Sequence, residues 1–384
     1  MRILLGGIPL GCDNIGDEAI LACVVRMLRE RVPDAALTVA TNDPATGSRL
    51  GVAVVPPYGF ARTPATGFDA AVRAFDVYIW CGATGLSDYP FVSLDLLRRA
   101  QRAGVPTFVW AVGMDAELNP VFFRAQGLRR KLLSCVGAVG LYERFFRARL
   151  ARQIRATLPA CVGVWTRDRE SAAQLAKFGF PDAGIAADTA IGQSRLRLDA
   201  PPRAPGSPPT VGLCLSAQRA VSDTAGVRRF LARLAAAGVR VVGIPMNPKT
   251  DAAILRTLGV ADVSDGTTPE AVAAQAAACD LVVSSRLHLL ILAANVGTPG
   301  VGIARGSKIA NWLANFGERP IGSVEACDWE ALTDAVLARL DDPSLRSRFA
   351  TRRRAVYARL DARLELATRL LVMRLGARSS SVAV

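Results

Sequence analysis

The sequence predicts a two-domain α/β protein, each domain a parallel sheet covered by helices. Three observations lead there. Short, continuous apolar runs alternate with helical patterns along most of the chain, as expected for strands buried on both faces of a parallel sheet. With 384 residues, 51% of them apolar, the chain is too long for one ordinary domain and can build two cores. The stretch Leu198–Thr210 holds Pro201, Pro202, Pro205, Gly206, Pro208 and Pro209, so it can form neither a helix nor a central strand. We therefore read a domain over 1–198, a linker over 199–210, a second domain over 211–328 and a helical, Arg-rich tail over 329–384.

The first domain opens with a strand at Arg2–Ile8, a Gly-rich loop, and a helix ending near Arg31. Further strands are read at Leu37–Thr41, Val52–Val55, Val77–Cys81, Thr107–Val112, Gly163–Thr166 and Ile185–Ala187, with helices such as Ser93–Ala103 and Glu170–Phe178 between them. Beyond the linker come strands Val211–Ser216, Arg240–Ile244, Asp280–Ser284 and Gly300–Ile303. Helices there end near Ala237, Leu258, Ala278 and Asn295, another starts at Ser307, and the segment from Trp329 to about Leu375 reads as helical. In open α/β sheets ligands sit beyond the carboxyl ends of strands, so chemistry is sought in the loops that follow them.

Composition narrows the partners. Forty-seven basic residues against 33 acidic ones give +14, which favours an anionic partner. No nucleic-acid motif is present, so no nucleic-acid partner is expected. Phe122–Arg130 and Tyr142–Arg155 mix Phe and Leu with many Arg; they read either as solvated helix faces or as a surface lying against anionic lipid. The eight cysteines lack the short spacings of zinc or redox motifs and read as reduced core thiols. No metal is expected. The first apolar run is too short for a signal peptide and no uncharged stretch approaches a membrane span, so a cytoplasmic chain, at most peripheral at the inner face of the membrane, is expected.

Four strand ends carry candidate chemistry. Asn14-Ile-Gly-Asp-Glu18 follows the first strand. Gly16 lets the backbone approach a ligand, and Asp17 and Glu18 fall in the first helical turn. Two readings stay open: the carboxylates complement the helix dipole, or they bind sugar hydroxyls with Asp17 as general base. Ser284-Ser-Arg-Leu-His288 ends another strand at a helix start, an anion site in itself. There Arg286 can fork onto a carboxylate or phosphate. His288, the only histidine, can donate a proton once a phosphate dianion is bound. Arg167, in Trp165-Thr-Arg-Asp-Arg-Glu-Ser171, is a candidate second anion clamp or part of an ordinary capped helix start. Asp188, in Ala186-Ala-Asp-Thr189, caps or turns the chain.

Taken in order, these stretches resemble the polysaccharide pyruvyl transferase family. Asn14–Ile20 with Thr41-Asn-Asp-Pro44 looks like its N-terminus. Thr166–Ser171 is similar to its Arg-Asp/Glu-x-x-Ser segment, Ala187-Asp-Thr-Ala190 to its Ala-Asp-Pro-Ala segment, and Ser285-Arg-Leu-His288 to its Arg-Leu-His signature. Two turns depart from the pattern. The Gly-Gly-Gly turn is Cys81-Gly-Ala-Thr-Gly85, and the Gly-Gln-Gly-like turn is Ala111-Val-Gly-Met114.

The resemblance implies two Rossmann-like domains facing across a cleft, a glycosyltransferase-B-like arrangement with a C-terminal helical tail. It implies phosphoenolpyruvate as donor substrate with no cofactor, and a glycan or polyprenyl-linked sugar as acceptor. Arg167, Leu287 and His288 would surround the donor, while Asn14, Gly16 and Asp17 would face the acceptor from the N-terminal domain. The rival reading is a glycosyltransferase of the same architecture using a nucleotide-sugar donor.

Overall fold

The computed structural model describes residues 1–135, 137–195 and 206–381. The linker read over 199–210 therefore lies mostly outside the described residues. The chain forms two compact units. Unit 1 comprises Met1–Cys12, Ile20–Thr189 and Ala362–Val384; unit 2 comprises Asp13–Ala19 and Ala190–Asp361.

Unit 1 holds a sheet of seven parallel strands in the order β3-β2-β1-β4-β5-β6-β7. The strands are β1 (Arg2–Gly6), β2 (Ala36–Ala40), β3 (Ala53–Val55), β4 (Val77–Cys81), β5 (Thr107–Val112), β6 (Gly163–Thr166) and β7 (Gly184–Ile185). The apolar runs are central because both their faces are covered: Ile3, Leu4, Leu5, Trp80 and Trp110 are fully buried. Strand order reverses between β1 and β4, the switch point at which Rossmann-type sheets leave room for a ligand.

Unit 2 repeats the plan with five parallel strands, β10-β9-β8-β11-β12. They are β8 (Thr210–Cys214), β9 (Arg240–Gly243), β10 (Asp262–Val263), β11 (Leu281–Ser284) and β12 (Gly300–Gly302). Here the order reverses between β8 and β11. The core gathers Val211, Leu213, Leu281 and Val283 from the sheet with Phe230 and Trp329 from the helices Thr224–Ala236 and Trp329–Leu340. Short polar caps start these helices: Asp223 accepts from the Gly226 amide at 2.7 Å and Asp328 from the Ala331 amide at 2.9 Å.

The tail is two helices, not one. Trp329–Leu340 ends before Asp342-Pro343, and Leu345–Ser381 begins after it. Pro343 disfavours helical backbone at the residue before it, and Asp342 turns its carboxylate onto the Ser344 amide at 2.9 Å. No helix among the described residues is long and apolar enough to cross a membrane.

Candidate active site

The sequence's sharpest motif lies at the switch point of unit 2. β11 ends at Ser284, whose hydroxyl accepts from the Arg286 amide at 2.9 Å and donates to the Arg286 carbonyl at 2.8 Å. The Ser285 hydroxyl accepts from the Ser216 amide at 2.9 Å, pinning this turn to the end of β8. Arg286 then occupies the N-cap of the helix Leu287–Asn295 in extended backbone, and Leu287 is buried as its first residue. The lone imidazole of His288 sits half-buried in the first turn.

Arg286 is 93% buried (7% exposed) and spends two donors on Asp251: Nε reaches Oδ2 at 3.0 Å and Nη2 reaches Oδ1 at 2.8 Å. Asp251 is fully buried and also accepts the amides of Ala217 at 2.9 Å and Asn247 at 3.0 Å. Burial works against the guanidinium charge. Asp251, assisted by Cys214 and Asp17, outweighs it and holds the Arg286 pKa above its ordinary value. The sequence reading gave Arg286 a direct bidentate grip on substrate. The Nε and Nη2 edge of the fork is closed on Asp251, which also holds the amides of Ala217 and Asn247 and so ties the Arg286 turn to those loops.

The Asn14–Glu18 stretch belongs to this same unit, although the sequence reading placed it with the N-terminal domain. The Ile15 amide donates to the Met246 carbonyl at 3.0 Å, and Lys249 pairs with Asp13 at 2.7 Å across an exposed edge. Gly16 packs directly on His288: a Cβ on Gly16 would lie 2.1 Å from Nδ1 and 2.5 Å from Cγ. Asn14 closes the turn, accepting from the Gly16 amide at 3.3 Å and donating to Asp17 Oδ2 at 2.7 Å. Asp17 and Glu18 are buried, not solvated decorations of a helix end.

Three residues of this unit carry no mark that the sequence analysis picks out: Asp251, Arg305 and Lys308. Asp251 lies in the short helix Thr250–Thr257, where nothing local marks it as the partner of Arg286. Arg305 follows β12 and donates from Nη1 to Ser216 Oγ at 2.8 Å and the Gln218 carbonyl at 2.9 Å, so the loops after β8, β11 and β12 are wired together. Lys308 is buried in the first turn of the helix Ser307–Ala314. The local signal was available: Arg305-Gly-Ser-Lys308 is a basic strand end opening a helix.

Arg167 lies in unit 1, after β6 and before the helix Arg169–Lys177. Its Nε reaches Asp168 Oδ2 at 3.2 Å, and Nη1 stands 3.5 Å from Asp188 Oδ2. The guanidinium lies against Gly113, where a Cβ would come 2.7 Å from Nη2. Burial disfavours its charge, but Asp168, Asp188 and Asp115 hold its pKa above the ordinary value. Asp188, read as a cap or turn, is thus a buried counter-ion. An incoming anion at Arg167 competes with carboxylates already in place.

Among the described residues no cluster of side chains fits a metal ion. Two parallel sheets of Rossmann order with a C-terminal helical tail define the class: the fold of glycosyltransferase-B enzymes and sugar-nucleotide epimerases. Solved structures share it over nearly the whole chain. MnaA of S. aureus with UDP matches with TM-score 0.59 and 8% identity, over 91% of this chain and 90% of that one. Anabaena HepE with UDP-glucose matches with TM-score 0.56 and 12% identity over 98% and 99%. The UDP-GlcNAc 2-epimerase of Neisseria meningitidis bound to UDP-GlcNAc matches with TM-score 0.55 and 10% identity, again over 98% and 99%. No curated protein sequence matches. The sequence model of the polysaccharide pyruvyl transferases matches residues 14–307, and the chain belongs to that family of transferases.

Proposed function

We propose that this enzyme transfers the pyruvyl group of phosphoenolpyruvate to two hydroxyls of a sugar on a polysaccharide or polyprenyl-linked precursor, forming a ketal and releasing phosphate. The observation that carries the reading is the packing of His288 on Gly16, within the turn that Asn14 and Asp17 close. It brings a group able to give a proton into the same unit, and against the same turn, as a carboxylate able to take one.

In the reaction, one sugar hydroxyl adds across the donor's C=C bond. Its oxygen bonds to the central carbon, and a proton goes to the methylene carbon, which becomes methyl. A second hydroxyl oxygen then bonds to the central carbon while the C–O bond to phosphate breaks. Phosphate leaves with the electron pair, and the second hydroxyl proton passes to a base. His288 supplies the methylene proton. Asp17 takes a hydroxyl proton. The Leu287 helix start, the Arg286 guanidinium and the neighbouring Arg305 provide positive potential for the donor's phosphate and carboxylate. Glu18 is the candidate for a contact to the acceptor, and Arg167, in unit 1, is a separate candidate anion-binding group.

The rival nucleotide-sugar reading draws on the UDP and UDP-sugars present in the solved structures of this fold. Thermal-shift titration separates the two. Stabilisation by phosphoenolpyruvate supports pyruvyl transfer; stabilisation by UDP- or GDP-sugars alone refutes it. Incubation with phosphoenolpyruvate and lipid-linked glycans should release phosphate in step with a gain of pyruvate mass on the glycan.

A further inference from the structure

Among the described residues eight large apolar side chains stand exposed, and five of them fall within 121–145. These are Val121, Leu128, Leu132, Leu141 and Phe145, each 59 to 73% exposed. Leu128 and Leu132 share a face of the helix Gly127–Cys135, as Leu141 and Phe145 do on Val139–Thr157, because residues four apart stack on a helix. The inner side of the same segment is anchored separately. Phe91, from the helix Pro90–Arg102, stacks on Phe123 at 5.5 Å and meets Phe122 and Phe146 edge-on, each at 6.2 Å. The outer side chains are therefore not required for packing.

The surface around them is strongly basic. Residues 120–157 carry nine Arg or Lys against one acid, Glu143, a net +8 out of the chain's +14. Arg124, Arg130, Lys131 and Arg144 are all exposed. An open cavity of ≈ 310 Å³ is lined by Val121, Arg124, Gln126 and Tyr142, large enough for a phosphate headgroup with a cation and two polar groups on its walls.

We propose that this face of unit 1 docks on an anionic lipid bilayer. The exposed Leu and Phe side chains enter the headgroup–acyl boundary, and the cations lie on headgroup phosphates. The charge decides between occupants. A second copy would bring two +8 faces together, which like-charge repulsion opposes. A nucleic acid would use the cations but leave the Leu side chains in water. The proposal does not depend on which donor the enzyme uses.

Flotation of the full chain with vesicles tests it. Binding is expected to vesicles containing phosphatidylglycerol and not to pure phosphatidylcholine, and to weaken as salt is raised. Leu132→Ser with Phe145→Ser should cut the bound-to-free ratio by about tenfold or more. Lys131→Glu with Arg144→Glu should cut it by at least about fivefold per site at low salt. Melting temperatures should stay close to that of the unmodified chain. Absence of flotation, equal binding to both vesicle types, or binding untouched by the Leu132 and Phe145 changes would each overturn the proposal. So would a dimer that Phe145→Ser dissolves in the absence of lipid.

Discussion

Gly16 leaves no room beneath the His288 imidazole: a methyl group there would stand 2.1 Å from Nδ1, well inside contact distance. The glycine is required for space, since its backbone is not among the positive-φ positions. Gly16→Ala should therefore displace the imidazole or the turn that holds Asp17. His288→Ala removes the group without pushing anything. If His288 is the proton donor, both variants lose turnover by roughly 10²–10⁴-fold while the fold survives. Steady-state kinetics with circular dichroism would check this, and near-normal turnover in His288→Ala would remove the imidazole from the mechanism.

The Arg286–Asp251 pair makes a different prediction, about stability. Asp251 is fully buried and takes four donors, so Asp251→Ala leaves a buried cation and two amides without their acceptor. Breaking such a pair costs about 3–5 kcal/mol. Replacing both members, Arg286→Met with Asp251→Leu, removes the stranded cation but still leaves the amides of Ala217 and Asn247 without their acceptor, so it should cost less than Asp251→Ala without being neutral, and it should still lower activity, because Arg286 fixes the turn that presents His288. Urea unfolding of the single and double variants measures the difference. Equal losses in both would mean that the pair's charge plays no part.

Much of the fold was legible because burial left a plain mark. β4, β5 and β6 match the apolar runs residue for residue, since each is covered on both faces. β10 was missed: Asp262–Val263 is two residues at a sheet edge, too short to show a pattern. The motifs were legible one at a time, but their grouping was not. Gly16 and His288 are far apart in sequence, and nothing local assigns Asn14–Glu18 to the second unit. Likewise the carboxylates around Arg167 come from three separate strand ends, so its neutralisation emerges only from the topology.

The two turns that depart from the family pattern keep a glycine-like backbone. Ala83 has φ 58° and Ala111 has φ 52°, both in the left-handed region. The turns are tied together by the Gly113 amide donating to the Ala83 carbonyl at 2.7 Å. Left-handed backbone costs an alanine about 1–2 kcal/mol. Relief of that strain in Ala83→Gly or Ala111→Gly is offset by the lost buried methyl, about 0.8 kcal/mol, and by the freer unfolded chain, about 0.4–1 kcal/mol. The net should be close to zero. Ala273→Gly, in the buried helix Pro269–Ala277, gains no such relief and should cost about 1–2 kcal/mol. Chemical denaturation of the three variants decides the matter; a full penalty at Ala83 and Ala111 would show that the strain is absent.

The cysteines predict a limit on the alkaline side. Burial pushes the Cys214 thiol up to about 12, with Asp251 adding to the rise and Arg286 opposing it, and burial with Asp280 pushes Cys279 to about 12. Cys161 rises to about 11, again chiefly through burial. In the unfolded chain a thiol titrates at about 8.5. The folded state therefore binds more protons above that pH, and the thiol contribution is fully present below about 8.5 and lost as pH rises toward 11–12. For Cys214 and Cys279 the loss is on the order of 5 kcal/mol each. Thermal melts from pH 8 to 11 should fall steadily, and Cys279→Ala should flatten that fall even if it lowers the starting value by leaving a small void. Cys135, the one exposed cysteine, should react with a maleimide well before the buried ones. A melting temperature independent of pH over that range would mean that water reaches the sulfur atoms, and fast labelling of Cys214 would show the same directly.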